Sequence, residues 1–334
     1  LYNVSQPDVL TGEPEIKQPR EEEVNGVRVI RWPTWSFKEA YHFPKMWGKL
    51  KKFVKELVKE ADVAHVHGVH SIFSIYCLAS AREADEGLRV VLTPHYHGSG
   101  HSIFRSLLWS FWRDYIKRLI VKVDIIHSVS QYEAELIRRH FDVEPIVIKH
   151  GVDEKFLKVT WTPQKYMMYS GRIERYKNID RIGDIVKILN TSYGMDLEFK
   201  VFGRGSYTKK LAKYLKRLGI KYEVRPPQQY EKYIEYLSRA SAFALLSEKE
   251  AFGQKINEAN AIGVPTIVAE PWGRNFADMP RTIVVSLREN NEEIAEKVAI
   301  LLQIAKNMPK PRIRTWSEVT EEYLKKLYEE NSDI

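Results

Sequence analysis

The chain has 334 residues, more than one ordinary domain holds and a suitable length for two. Hydrophobic residues make up 44% and charged residues 29%, which is typical of a globular protein with a sizeable core. The formal net charge of +8 favours an anionic partner, namely nucleic acid, an acidic membrane surface or a phosphorylated small molecule. No uninterrupted apolar stretch approaches the roughly 20 residues that a bilayer-spanning helix needs.

The cysteine content indicates the compartment. The single cysteine, Cys77, lies in an apolar run and cannot form an internal disulfide. No basic-then-apolar signal segment opens the sequence, so a cytoplasmic protein is expected. Nothing near Cys77 in the sequence would lower the pKa of its thiol, so a core position is predicted rather than a nucleophile.

The first half alternates short β-rich runs with longer helical patterns after a polar, irregular opening. Strands are predicted at 27–31, 62–66, 89–93, 124–129 and 145–148, and helices at 46–60, 71–84, 105–122 and 131–140.

The second half repeats this alternation. Strands are predicted at 166–170, 197–202, 222–224, 242–246, 265–269 and 282–285, and helices at 179–190, 207–218, 230–239, from near Gly253, 291–306 and 317–330. Apolar strands alternating with helices indicate parallel sheets, hence an α/β protein with two doubly wound, Rossmann-like domains facing each other across a cleft. The polar segment 153–165 sets the boundary, giving domains at 1–155 and 156–334. The last helix, at about 316–330, is expected to pack back on the first domain.

Positive charge follows the strand at 166–170, which runs into Gly171-Arg-Ile-Glu-Arg-Tyr-Lys177 ahead of a helix. The glycine permits a sharp turn, while Arg172 and Lys177 bring two cations to one strand end near a helix amino terminus. Such an arrangement suits a diphosphate. A solvated charged loop is the alternative for the same residues.

A second strand end carries two carboxylates. The strand at 242–246 leads to Ser247-Glu-Lys-Glu-Ala-Phe-Gly253, and the following helix contains Glu258. Free amides in the first helical turn suit an anion, and Glu250 and Glu258 can bracket a sugar or a ribose, whose vicinal diols donate to carboxylates. Alternatively, Glu258 is an ordinary surface residue. The apolar residues beside it instead predict an embedded helix, where an inward carboxylate needs a partner.

These residues resemble a known family, the GT-B glycosyltransferases of glycosyltransferase family 4. Residues 247–265 match the family's Glu-x7-Glu signature and its Glu-Ala-x-Ala-x-Gly-x-Pro continuation. Weaker matches, in the family's order, are Thr93-Pro-His95, His150-Gly-Val-Asp153, Gly171-Arg172 with Lys177, Val201-Phe-Gly-Arg-Gly205 and the closing helix from Trp316 to Tyr328. The resemblance covers nearly all of the chain from about Asn25 onward.

The resemblance implies a role for each matching residue. Arg172 and Lys177 would bind the donor diphosphate and stabilise the leaving charge without a metal. Glu250 would contact the hydroxyls of the donor sugar and Glu258 the ribose. His95 would approach the donor sugar from the first domain. The implied catalytic residues are Arg172, Lys177, His95 and Glu250, and the implied donor-binding residues are Gly171, Arg172, Lys177, Glu250, Phe252, Gly253, Gln254 and Glu258.

Two departures from the family pattern stand out. Asn178 follows Lys177 where the family commonly has glycine, which should only reshape the turn. The opening of this sequence shows no strand, glycine-rich loop and helix of the kind with which family members begin. The first domain is therefore expected to be incomplete at its start.

Histidines cluster in the first half, at His65, His67, His70, His95, His97 and His101. Because two strand ends carry them, they could gather at one sheet edge and bind zinc. The resemblance favours a substrate role instead, with His95 as a polar sugar contact and His97 and His101 lining the acceptor cleft. No metal site is predicted.

The segment from Ser102 to Leu119 is basic and aromatic. It could lie on an anionic membrane surface. The favoured interpretation is a core-facing helix with Leu107, Phe111, Tyr115 and Leu119 buried.

The sequence therefore predicts a retaining hexosyltransferase that uses a UDP-, GDP- or ADP-sugar, no cofactor, and a glycan or lipid-linked acceptor. It would lie in the cytoplasm, with peripheral association at the inner face of the membrane. Two alternatives remain: a non-catalytic sugar-nucleotide-binding protein, and a GT-B nucleotide-sugar epimerase or phosphorylase-like enzyme. Nucleic-acid binding ranks low because the basic residues are spread along all helices without a recognition motif.

Overall fold

The computed structural model describes residues 7–37, 40–85, 87–98 and 103–329. The chain divides into two compact units. The first comprises residues 1–128, 134–147 and 324–334, and the second comprises residues 129–133 and 148–323. The main change of unit, between residues 147 and 148, comes shortly before the polar segment in which the boundary was predicted.

The N-terminal part of the chain contains two sheets. Its strands are β1 (Val9–Glu13), β2 (Arg20–Val24), β3 (Val27–Phe37), β4 (Ala40–Pro44), β5 (Val63–His67), β6 (Arg89–Thr93), β7 (Ile125–Ser128) and β8 (Ile146–Val147). Its helices are α1 (Trp47–Leu57), α2 (Ile72–Ala84), α3 (Ile103–Ile120) and α4 (Gln131–Phe141). Strands β5 to β8 pair in parallel and in chain order. The last four residues of β6 are buried, as expected for a parallel sheet covered on both faces.

The polar opening of the chain, which was expected to be irregular, forms strands. Strand β1 pairs in parallel with β3, and β2 forms an antiparallel hairpin with β3. Its turn is Asn25-Gly26, with φ of 52° and 79°, the dipeptide that tight hairpins favour. The acidic β2 is stabilised across the ladder by ion pairs, such as Arg31 Nε to Glu22 Oε1 at 2.6 Å. The prediction of an irregular opening was wrong because it gave charge more weight than the turn dipeptide.

The second unit is built mainly on one parallel sheet. Its strands are β9 (Tyr166–Ser170), β10 (Glu198–Phe202), β11 (Tyr222–Arg225), β12 (Ala242–Leu245), β13 (Thr266–Ala269) and β14 (Thr282–Val285). Its helices are α5 (Glu154–Leu157), α6 (Ile179–Tyr193), α7 (Thr208–Leu218), α8 (Tyr230–Ser238), α9 (Gln254–Ile262), α10 (Asn291–Ile304) and α11 (Trp316–Tyr323). A π-helical turn, Leu324–Tyr328, continues α11 into the first unit.

The order of strands in this sheet is β11-β10-β9-β12-β13-β14, and every pairing is parallel. Strand order reverses between β9 and β12, as in doubly wound folds that bind a ligand at that point. The predicted α/β class with parallel sheets is confirmed.

Helix α3 exposes a face that the sequence analysis expected to bury. Phe111 is 70% and Tyr115 45% exposed, whereas Trp109 and Ile116 are buried. The indole of Trp109 donates to Tyr96 Oη at 3.3 Å, and that of Trp112 donates to the Val69 carbonyl at 2.8 Å.

The prediction that Phe111 and Tyr115 are buried was therefore wrong. The helix carries two apolar stripes, and the tryptophan stripe finds hydrogen-bond partners inside the unit, as buried tryptophans usually do. The side chain of Leu107 lies outside the described residues, and Leu119 is half-buried. None of the described helices is long and apolar enough to cross a membrane.

Candidate functional site

The reversal point of the second sheet brings two loops together. One loop follows β9 and the other follows β12, which are neighbouring strands. The backbone N–H of Glu248 donates to the Tyr176 carbonyl at 3.0 Å, and Asn178 Nδ2 donates to the Leu246 carbonyl at 3.0 Å. Asn178 has φ of 50°, a left-handed conformation that asparagine tolerates better than most residues. This explains how asparagine can stand where the family commonly has glycine.

Glycines after β10 let a third loop approach. A Cβ atom on Gly203 would lie 1.9 Å from the Gly171 carbonyl oxygen, and one on Gly205 would lie 2.1 Å from that of Ile173. Larger residues are therefore excluded at both positions. The Glu174 carboxylate accepts hydrogen bonds from both the backbone N–H and the hydroxyl of Ser206, at 3.0 and 2.5 Å. These contacts hold the Gly171–Lys177 loop in place.

Lys177 and Glu250 form an ion pair across the reversal point. The Lys177 side chain is 10% exposed and that of Glu250 22%. The Lys177 ammonium also lies 5.0 Å from the centre of the Tyr176 ring. A partly buried pair of this kind fixes the position of the lysine ammonium group. Both residues are predicted site residues, but their pairing was not predicted from the sequence.

Arg172 is the more accessible cation of this loop. Its side chain is exposed, and Nη2 donates to Tyr176 Oη at 3.0 Å. Tyr176 thus lies beside both cations. Two positive groups, one fixed and one accessible, stand at the carboxyl edge of β9.

Helix α9 begins at the second loop with an uncapped turn. Gly253 precedes it with φ of 96° and no capping side chain, so amides of the first turn are available to an external acceptor. A Cβ atom there would lie 2.6 Å from Trp272 Cζ3, which excludes any other residue. Phe252 is buried, 5.2 Å from the His150 ring and 5.4 Å from the Phe276 ring, measured between centroids. A helix start of this form suits an anion.

Glu258 lies inside α9 and is 7% exposed, as expected for an embedded helix. Its Oε2 accepts from Tyr233 Oη at 2.8 Å and from Lys255 Nζ at 2.9 Å. Of the two predicted carboxylates, Glu258 is thus buried and Glu250 half-buried, and both are paired with lysine. Neither Tyr233 nor Lys255 was singled out from the sequence. The spacing of Lys255, three residues before Glu258, was a usable signal for a same-face pair, but nothing local indicated Tyr233.

The His150-Gly-Val-Asp153 segment is held against α9 by hydrogen bonds to its backbone. Gln254 Nε2 donates to the Gly151 carbonyl at 2.9 Å, and Asn257 Nδ2 donates to the His150 carbonyl at 3.0 Å. The carboxylate of Asp153 caps α5. Side chains of α9 thus fasten this segment to the site.

The first unit has its own strand-end cluster, made of histidines. His95 follows β6 with φ of 49°, and its Nε2 lies 3.2 Å from Nδ1 of His67 at the end of β5. Behind this pair, His65 contacts Tyr328 Oη through Nδ1 at 2.6 Å and Thr93 Oγ1 through Nε2 at 2.7 Å. Thr93 Oγ1 also contacts His127 Nδ1 at 2.8 Å.

Burial lowers the pKa of His65 to about 2, with smaller contributions from the neighbouring histidines. Burial also lowers the pKa of His67, so both imidazoles of β5 favour the neutral form within this hydrogen-bonded network. In the described part of the chain, no group of three or more His, Cys, Asp or Glu side chains could hold a metal ion.

Two further histidines of the predicted cluster stack on each other. The rings of His70 and His97 stack 4.6 Å apart, measured between centroids. His101 lies outside the described residues. Burial raises the pKa of the Cys77 thiol to about 12, which agrees with a packing role.

Two family models match the sequence. Glycosyltransferase Family 4 matches residues 6–156, and Glycosyl transferases group 1 matches residues 153–312. Together the two matches extend from residue 6 to residue 312.

Curated relatives are similar over part of their length. An N-acetyl-alpha-D-glucosaminyl L-malate synthase from Bacillus anthracis is 25% identical over 62% of this chain and 56% of its own. A GDP-mannose:cellobiosyl-diphosphopolyprenol alpha-mannosyltransferase from Xanthomonas oryzae pv. oryzae is 23% identical over 76% of this chain and 68% of its own. The chain thus spans between about half and two thirds of these relatives.

Solved structures share the fold. Sucrose-phosphate synthase from Thermosynechococcus elongatus superposes with a TM-score of 0.70 at 18% identity, over 96% of this chain and 84% of that one. A glycosyltransferase from Rickettsia africae superposes with a TM-score of 0.66 at 14% identity, over 97% and 98%. The matched models and the shared fold agree: the chain belongs to the family-4 glycosyltransferases, which have the GT-B fold.

Proposed function

We propose that this protein transfers a hexose from a nucleoside-diphosphate sugar to a glycan or lipid-linked acceptor, with retention of anomeric configuration and without a metal. The observation that carries the proposal is the partly buried Lys177–Glu250 pair at the strand reversal, with Arg172 accessible beside it. Two cations and the start of α9 suit a diphosphate. The carboxylates of Glu250 and Glu258 suit the hydroxyl-rich groups at its two ends.

The donor would divide among these groups. Its diphosphate would contact Arg172, Lys177 and the backbone of Phe252, Gly253 and Gln254. Glu250 would accept from the sugar hydroxyls and Glu258 from the ribose. An ammonium group has three N–H donors, so Lys177 can keep its bond to Glu250 while it donates to a phosphate oxygen. One residue would thereby tie the sugar contact to the phosphate contact.

The chemical step requires stabilisation of the departing diphosphate. Charge that develops on the leaving oxygen would meet cations already in position, so little reorganisation is needed during the reaction. This is the physical basis for proposing that no metal takes part. Retention of configuration and a contact from His95 to the donor sugar are proposed from the family resemblance.

The acceptor and the location are proposed as classes, from a relative's name and from the surface of the chain. The Xanthomonas relative is named for a diphosphopolyprenol acceptor, which supports a lipid-linked acceptor here. We place the protein in the cytoplasm, peripherally associated with an anionic membrane surface. The net charge of +8 and the exposed aromatic residues Phe111 and Tyr115 of α3 support the membrane association.

A donor screen followed by single turnover tests the proposal. Thermal shift against UDP-, GDP- and ADP-sugars should identify one nucleotide, because a ligand that binds only the native state raises the melting temperature. With that donor, nucleoside diphosphate should be released only when an acceptor is present. The product linkage should keep the donor's configuration, and EDTA should leave the rate within about twofold.

Each failure points to a different alternative. Donor binding without acceptor-dependent release would indicate a sugar-nucleotide-binding protein. Recovery of an isomerised donor would indicate an epimerase. Loss of activity in EDTA, restored by a divalent metal, would contradict the metal-independent mechanism and direct attention to the histidine cluster.

A further inference from the structure

The two oxygens of the Glu258 carboxylate have different surroundings. Oε2 accepts from both Tyr233 Oη, at 2.8 Å, and Lys255 Nζ, at 2.9 Å. Within the residues that the structure describes, no hydrogen bond reaches Oε1. The side chain retains 10% exposure. A carboxylate held in this way presents one fixed oxygen as an acceptor.

Tyr233 can act only as a donor to this carboxylate. It lies on α8, is 5% exposed, and approaches Glu258 from a different helix. Burial, and then the nearby Glu258 charge, raise the pKa of Tyr233 well above its ordinary value, so the hydroxyl keeps its proton. Its O–H···O⁻ bond belongs to the strong, charge-assisted class and restricts rotation of the carboxyl group.

Lys255 balances the charge. It lies three residues before Glu258 on α9, and its ammonium is 4.1 Å from the centre of the Tyr233 ring. An unpaired carboxylate close to a bound diphosphate would repel it. The lysine offsets that repulsion while the tyrosine ring holds the lysine by a cation–π contact.

We propose that Tyr233 and Lys255 are positioning residues for ribose recognition, which hold Glu258 so that Oε1 alone accepts the ribose hydroxyls of the nucleotide. This deepens the proposed function and rests on it, since the ribose belongs to the nucleoside-diphosphate donor. The site would then distinguish ribonucleotides from nucleotides without a ribose diol. That distinction would become smaller when the tyrosine hydroxyl is removed.

The test is calorimetric binding of the nucleoside diphosphate that the donor screen selects, beside its 2′,3′-dideoxy analogue. Tyr233→Phe should weaken binding of the ribonucleotide about three- to tenfold, the effect of one hydrogen bond, and leave the dideoxy analogue unchanged. Lys255→Met should weaken the diphosphate more than the free nucleoside, and more at low salt than at high salt.

Tyr166→Phe is the matched control. Tyr166 is also buried, at 3%, and its hydroxyl donates to the Tyr236 carbonyl at 2.6 Å. It stands at the start of β9, whereas Gly171 follows the end of that strand. The control should lose stability as Tyr233→Phe does, but should keep the preference for the ribonucleotide.

The outcomes separate the inference from the function on which it rests. If the native protein binds no nucleoside diphosphate, the proposed function itself fails. If it binds the ribonucleotide and the dideoxy analogue equally, or if Tyr233→Phe weakens both alike, the inference is overturned while donor binding stands. Unchanged ribonucleotide binding by Tyr233→Phe would overturn it as well.

Discussion

The carboxyl edges of the two parallel sheets can be compared directly. In each sheet, loops that follow neighbouring strands bring polar side chains together, but the residue types differ. In the second unit, the loops after β9 and β12 bring together charged residues, and the partly buried carboxylates are paired with lysines. In the first unit, the ends of β5, β6 and β7 bring together imidazole and hydroxyl groups that form a hydrogen-bonded network. Strand topology thus selects where side chains meet, and residue type decides what they can bind.

The difference has a physical basis. Fixed positive charge lowers the cost of holding and releasing a dianionic diphosphate. Neutral imidazoles can donate to and accept from uncharged hydroxyl groups, which suits a sugar or an acceptor. Activity should therefore depend most on the cations at the edge of the second sheet. Stability should depend on pH most at the edge of the first sheet.

The largest effect is expected from Lys177→Met. Removing one preorganised group that stabilises the leaving charge should lower kcat about 10²- to 10³-fold. It also leaves Glu250 without its partner, which can cost up to about 3 kcal/mol of stability. The double variant Lys177→Met/Glu250→Gln should regain much of that stability in denaturant titrations and none of the rate.

Lys200→Met provides the control for this experiment. Lys200 is another shielded lysine, 16% exposed at its side chain and paired with Glu198 and Glu223. Its replacement should leave kcat unchanged. A decrease of less than about threefold for Lys177→Met would refute its assignment to the diphosphate.

The pH dependence of stability should come next in size. The pKa of His65 is about 2 in the folded chain and near 6.5 when unfolded, so the unfolded chain binds more protons between these values. The stability that His65 contributes is present above pH 6.5 and is lost as the pH falls. The loss is about 1.4 kcal/mol per pH unit, or about 2 kcal/mol at pH 5.

Hydrogen exchange corrected for intrinsic rates can follow both sheets in one sample. Amides of β5 and β6 should lose protection between pH 7 and pH 5, and those of β9 and β12 should change less. His65→Asn should flatten the dependence in the first sheet. Equal loss in both sheets would contradict the assignment to this cluster.

The smallest effect is expected from His67→Gln. His67 is within hydrogen-bond distance of His95, so its loss should leave His95 less fixed and lower kcat about two- to tenfold. The donor KM should stay within about twofold, since the nucleotide contacts are proposed elsewhere. His42→Gln, at a site where His42 contacts Thr34, is the control. Equal rates for the two variants would exclude a positioning role for His67.

Much of the framework followed from the sequence because its signals are local. Alternating apolar runs and helical periodicity predicted the parallel strands of both units within a few residues. The doubly wound strand order of the second sheet agrees with the predicted alternation of strands and helices. The turn glycine Gly253 and the residues flanking it stood out because they lie in the loop between a predicted strand end and the next helix. The hairpin at Asn25-Gly26 also had a local signal, although the acidic strand beside it obscured that signal.

Only the tertiary structure decided which side chains meet. Lys177 and Glu250 are 73 residues apart in sequence, and Tyr233 and Glu258 are 25 apart on different helices. It also chose between the two apolar stripes of α3, burying Trp109 and exposing Phe111. Periodicity reports how a segment presents its own faces, whereas pairing and burial depend on what another segment brings to the same place. The sequence therefore predicted the strand ends at which ligands should bind, and the fold decided how each charged group there is held.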